Sequence, residues 1–258
     1  MKRTQALSVF RAYADGYDAS DIKIAAKIAH TYRVAANAER IGKSLGMSAA
    51  AVDLAWFLGL LHDIGRFEQV RRYGTFVDGV SVDHAALGAD ILFLDGLIDR
   101  FPTDGLPDGW RPLLETAIRA HNRLTLPDGL DDRTRTYCQI IRDADKIDIF
   151  RVVNELTFDE RVGTGRDRFV DADAASPEVM ACVYGHRCVP RDARRSVFDG
   201  HLSHVCMAFE LVYPESRRMA AEQGYLARLF DAAGWPDAAV EQLRAAKREL
   251  ENAWGLTI

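Results

Sequence analysis

The stretch Leu54-Ala55-Trp56-Phe57-Leu58-Gly59-Leu60-Leu61-His62-Asp63-Ile64-Gly65 decides how the chain is read. Leu54 to Leu61 carries no polar side chain, so it forms a helix buried on all sides rather than one with a wet face. It is far shorter than the ~18 to 20 apolar residues that a bilayer span needs, which makes it a core helix. A histidine and an aspartate then stand side by side at its end. Neighbours on a helix point about 100° apart and rarely share one small target. A pair of metal ions resolves that difficulty, because the Asp63 carboxylate can bridge both while His62 binds one.

Outward from this pair, apolar residues recur at helical spacing, for example Ile24, Ile28, Val34 and Ile41, with little period-two alternation. The chain is therefore expected to be all-α. Ser20-Asp21 caps a helix running towards Lys43 with His30 in its middle, and Ser48 caps the next, through Leu61. Gly65 is expected to stop that helix in the left-handed conformation. The segment Arg66 to Ser81 reads as an irregular connection, long for a mere linker. A helix from near Val82 should place His84 in its first turn, with Leu87, Ile91 and Leu94 inward. Trp110 to Ala120 then delivers His121 at its C-terminal end, and Thr134 to Asn154 carries Asp145.

The ordered set His30, His62-Asp63, His84, His121 and Asp145, with the Asp143-Ala144-Asp145-Lys146 run, resembles the HD-domain superfamily of metal-dependent phosphohydrolases over roughly residues 20 to 155. The resemblance implies an HD-type helical bundle. His30, His62, Asp63 and Asp145 match the superfamily's core ligands, and His84 and His121 match the extra ligands of its dinuclear branches. Four imidazoles and two carboxylates suit two divalent transition-metal ions, iron or manganese, or else zinc, cobalt or nickel. Arg66 stands three residues after Asp63, where the HD-GYP group commonly places a phosphate-binding lysine. Asp63 and Arg66 are thus the expected catalytic pair, with Arg66, Arg71, Arg72 and Lys146 as candidate substrate contacts. The Gly-Tyr-Pro signature is missing, and Asn122 replaces the second histidine of the HD-GYP His-His pair. That disfavours cyclic dinucleotide cleavage. The symmetrical dinucleoside tetraphosphate hydrolases share the ligand order and differ at the same Asn122.

Beyond about Glu160 the resemblance fades. Ser176-Pro177-Glu178 starts a helical extension, about 176 to 258, and the whole chain is read as one HD-type domain. His186, His201 and His204 fall in this part and are read as non-ligands. With 33 Lys plus Arg against 38 Asp plus Glu and no basic tail, no nucleic-acid polymer is expected as a partner. The four cysteines lack Cys-x-x-Cys spacing and read as small buried residues in a reducing, cytoplasmic setting, with no membrane partner.

The expected activity is hydrolysis of a phosphate ester in a nucleotide or related small phosphometabolite. A di-iron oxygenase acting on a polyol or phosphonate is the first alternative, since some HD-type enzymes use the same ligand pattern for it. A non-catalytic nucleotide-binding sensor is the second.

Overall fold

The computed structural model describes residues 1 to 258, apart from side-chain detail at positions 164 and 165. Among the described residues the chain is all-α, without strands, and Val170 and Ser196 form one isolated bridge. It divides into two compact units, Met1–Asp148 with Glu160–Thr164, and Ile149–Asp159 with Gly165–Ile258.

The first unit holds α1 (Arg3–Ala14), α2 (Ile22–Ser44), α3 (Ala49–Leu61), α4 (Ile64–Tyr73), α5 (His84–Phe93), α6 (Trp110–Ala120) and the first part of α7 (Asp132–Glu155). The caps fall where the sequence puts them: the Asp21 side chain accepts from the Lys23 amide, and Ser48 from Ala51. Helix α3 is the centre of this unit, with every residue from Leu54 to Leu61 buried. Burying a leucine side chain stabilises the fold by about 1.5 to 3 kcal/mol, so α3 fixes what packs round it.

Two glycines set the crossings. A Cβ at Gly59 would lie 2.6 Å from the Cα of Ala35, so α2 and α3 touch backbone to backbone. At the second crossing, α4 against α5, a Cβ at Gly65 would lie 2.2 Å from the His84 carbonyl oxygen and 2.5 Å from the Gly88 nitrogen. Gly65 is thus needed for space. It sits inside α4 and is not among the positive-φ glycines, which corrects the expectation of a left-handed stop. The chain turns instead at Asp63, φ −106° and ψ 18°.

The stretch read as an irregular connection is also corrected. It is helical to Tyr73, ends on left-handed Gly74 and continues through a short 3-10 turn at Asp78–Val80. Helix α5 begins at His84 on an Asp83 cap, and its buried face is Ala85, Gly88, Ala89 and Leu92. Leu94, expected inward, is 73% exposed. The close approach to Gly65 selects the small-residue face for the interior, which turns the leucine and isoleucine positions partly outward.

The second unit takes in the end of α7 and holds α9 (Pro177–Tyr184), α10 (Val197–Cys206), α11 (Pro214–Gln223), α12 (Tyr225–Arg228) and α13 (Asp237–Trp254), with the short α8 (Phe158–Val162) before them in sequence. Ser196 and Asp199 form a capping box on α10, and buried Asp199 also accepts from the Ser176 amide at 2.8 Å. One carboxylate therefore ties the start of α9 to the start of α10. The side chain of Gln242 on α13 pairs with the Ala175 backbone, accepting at 2.7 Å. All four cysteines are free and buried, as their spacing implies. Among the described residues no helix is long and apolar enough to cross a membrane.

The Gly65 crossing gives a first prediction. Gly65→Ala should destabilise the protein by about 3 kcal/mol, because the clash is with backbone that cannot rotate away. Urea unfolding followed by circular dichroism measures this, and an unchanged midpoint would refute the close approach.

Candidate metal centre

The six expected ligands converge in the first unit. His30 comes from the middle of α2, His62 from the end of α3 and Asp63 from the turn that follows. His84 opens α5, His121 closes α6 and Asp145 lies within α7. Ligand atoms lie within 4.8 Å of one another in His30, His62 and Asp63, in Asp63, His84 and His121, and in His62, His121 and Asp145.

Each imidazole is held by its Nδ1. His62 donates to the Gly59 carbonyl at 2.8 Å and His121 to the Ile118 carbonyl at 2.7 Å. A carbonyl only accepts, so Nδ1 carries the hydrogen and Nε2 is left as a lone pair in the neutral ring. His30 Nδ1 lies 2.8 Å from Asp148 and His84 Nδ1 lies 2.9 Å from Asp78, where the carboxylates do the same. The four Nε2 atoms then face inward. Those of His30 and His62 are buried without a hydrogen-bond partner, and those of His84 and His121 stand 3.1 Å apart. Lone pairs facing one another at that distance repel unless a proton or a cation lies between them. The donor set therefore fits a divalent transition metal.

Asp63 divides the cluster. Its Oδ2 lies 3.5 Å from both His30 Nε2 and His62 Nε2, while Oδ1 lies 3.4 Å from His84 Nε2 and 3.7 Å from His121 Nε2. One oxygen serves each pair of rings. Asp145 Oδ1 stands on the first side, 3.1 Å from His30 and 3.7 Å from His62.

Charge and burial split the histidines. Burial pulls the His62 pKa down most strongly, but Asp63 and Asp145 together outweigh it and hold it up at about 9. His30 is also raised: burial and Lys27 oppose this, and Asp145, Asp148 and Asp63 prevail. His84 falls to about 4, since burial and the Arg66 charge outweigh Asp78 and Asp63. Burial disfavours the charged carboxylate of Asp63, yet Lys27 and the rings keep it ionised, well below the usual range.

Four participants escape the sequence reading. Lys27 is buried with its Nζ 2.6 Å from Asp63 Oδ2, and Asp148 and Asp78 orient His30 and His84. Asn122, which stands where the HD-GYP group has its second histidine, donates to Asp78 at 3.3 Å and to Asp83 at 2.8 Å. Spacing offered a signal for two of them. Lys27 and Asp148 lie three residues from His30 and Asp145, on the same helical faces.

The candidate substrate residues separate. Arg66 stays at the centre, its Nε 3.7 Å from Asp63 Oδ1 and its Nη1 on Gln69, the Phe76 carbonyl and Asp78. Arg71 and Arg72 are not brought to the cluster. Because this segment is helical, they fall three and four residues beyond Glu68 and both bind its carboxylate, which drops to about 2. Lys146 is buried next in sequence to Asp145, and its side chain leaves the helix about 100° away. His186 pairs with Glu249, and His201 with the Leu229 carbonyl. Among the described residues neither joins a group that could hold a metal ion, and nor does His204.

Residues 28–149 match the family model of the HD domain. This part of the chain is an HD domain, a member of a superfamily of metal-dependent hydrolases that bind divalent ions, and all six converging residues lie within it. No curated protein and no solved structure matches the chain.

Two outcomes follow. The raised His62 pKa means that this ring is protonated in metal-free protein at neutral pH, so a metal must displace the proton. Metal affinity should rise as pH climbs towards about 9. Manganese binding near pH 7 should release protons, seen as a heat that changes with buffer ionisation enthalpy in calorimetry; a buffer-independent heat would contradict it. Separately, Asp78→Asn should weaken metal binding by roughly 10- to 100-fold, as loss of a carboxylate that orients a ligand does. Chelator competition measures that change.

Proposed function

We propose that the protein is a metal-dependent phosphohydrolase that cleaves a phosphate ester in a nucleotide or related small phosphometabolite. The observation that carries this reading is the division of Asp63, with one oxygen towards His30 and His62 and the other towards His84 and His121. A carboxylate placed in that way suits two ions, for which manganese and iron are the first candidates and zinc, cobalt and nickel the next. Two divalent ions supply a water acidic enough to ionise near neutral pH, and positive charge against a phosphoryl oxygen.

The protein's own groups do the rest. His30, His62 and Asp145 would hold an ion on one side of the centre and His84 and His121 one on the other, with Asp63 between them. Arg66 is the phosphate contact. Its Nε is buried without a hydrogen-bond partner, so the guanidinium keeps a donor in reserve for an incoming oxygen while Nη1 anchors it. Asp78 and Asn122 hold Arg66 and His84 in register. Burial of the imidazoles excludes bulk water and strengthens each of these interactions. The partner is a small anion rather than a nucleic-acid polymer or a membrane. A cytoplasmic setting is in keeping with four free cysteines.

Hydrolysis draws its oxygen from water. Turnover of the best substrate in oxygen-18 water, without dioxygen and with manganese as a redox-quiet metal, is expected to label the released phosphate. Activity that stops without dioxygen, with label entering product from oxygen gas, would replace this reading with the di-iron oxygenase. A metal-loaded protein that binds nucleotide and turns nothing over would replace it with the sensor.

A further inference from the structure

The solvent-touching atoms of the centre are unevenly distributed. The side chains of His30 and His62 are fully buried and that of Asp63 is 3% exposed, whereas Lys27 is 10%, Asp145 15% and Arg66 16% exposed. These three side chains are the least covered of the centre. Two of the three are cations, one on each oxygen of Asp63: Lys27 Nζ at 2.6 Å from Oδ2 and Arg66 Nε at 3.7 Å from Oδ1. Both lie against one ring, Lys27 at 5.3 Å and Arg66 at 5.6 Å from the centre of Phe76. The ring keeps the two charges apart and gives each a weak attraction of its own.

A buried ammonium is costly unless paired, and the partner of Lys27 is Asp63, a carboxylate that the ions also require. With two divalent ions present, Asp63 is committed to them, and the cations outweigh the carboxylates Asp63, Asp78, Asp145 and Asp148. The excess is positive, and it sits beside the exposed edge. A ligand bearing two or three anionic oxygens restores the balance.

We infer that Lys27 is a substrate anchor, the second cation of a two-cation mouth that holds the oxygens of a phosphoryl group together with Arg66. This rests on the phosphohydrolase reading and adds to it a residue from a different helix, α2. Lys27 supplies up to three donors from a point charge, against the fixed fork of Arg66. The two therefore bind different oxygens of one tetrahedral anion, and a neutral polyol would gain nothing from either charge.

The test uses full-length, manganese-loaded protein and inorganic phosphate as the probe. Lys27→Met keeps the volume and the packing against Phe76 and removes the charge; Lys27→Arg keeps the charge. Calorimetry should show Lys27→Met binding phosphate roughly 10- to 100-fold more weakly than the unaltered protein, the loss expected for a charged hydrogen bond, with manganese content unchanged. Lys27→Arg should recover most of the loss. If Lys27→Met fails to fold, Lys27→Gln retains a donor to Asp63 and removes only the charge. Equal phosphate affinity in the unaltered protein and the neutral variant would overturn the anchor and leave the hydrolase reading standing. So would a variant that gains manganese affinity with no change towards phosphate, because Lys27 would then only neutralise Asp63. Unaltered protein that cleaves phosphate esters without binding phosphate also overturns the anchor alone. If it neither binds phosphate nor cleaves a phosphate ester, both readings fall.

Discussion

The Nδ1 hydrogens of His30, His62, His84 and His121 are all directed at protein acceptors, two at backbone carbonyls and two at carboxylates. That leaves four Nε2 lone pairs aimed into one small buried space. Such an arrangement repels itself in the absence of a cation or bound protons, and the raised pKa values of His30 and His62 are the proton solution to the same problem. The rest of the centre answers this constraint. Asp63 and Asp145 bring negative charge between the rings, and Asp78 and Asp148 stand behind them to fix their direction.

Holding these groups in place needs backbones closer than ordinary side chains permit. Gly59 lets α2 reach α3, which puts the His30 and His62 rings 5.3 Å apart, and Gly65 lets α4 reach α5 beside His84. Both glycines lie within one turn of a ligand. The stability of α3 and the geometry of the centre are therefore the same packing problem, and the precision of the site comes from helices fixed by a buried core rather than from loops.

Asymmetry within the site gives it direction. His84 is neutral at physiological pH and ready to donate a lone pair, while His62 must first give up a proton. The cations Lys27 and Arg66 are less fully covered than the rings of His30 and His62. Asp78 connects the halves of this arrangement, because it accepts from His84, Arg66, Gln69 and Asn122 at once. Asn122 thus has a clear place: its amide steadies the Asp78 carboxylate that orients the His84 ring.

The sequence by itself determined the helical class, the caps at Asp21, Ser48 and Ser176, and which six residues to look for at one site, since each rests on local chemistry or on order along the chain. The adjacent His62-Asp63 pair already implied a shared carboxylate. Contacts between distant segments were beyond its reach. Whether Arg71 and Arg72 face the centre or Glu68 depended on whether residues 64–73 wind as a helix, and the Gly65–Gly88 packing, not the local pattern, turned α5 onto its small-residue face. Lys27 reads as an ordinary helix lysine until α2 crosses α3 and brings it to Asp63, 36 residues away. Only the tertiary structure decided that, because the energy of a buried charge depends on which partner the fold places beside it.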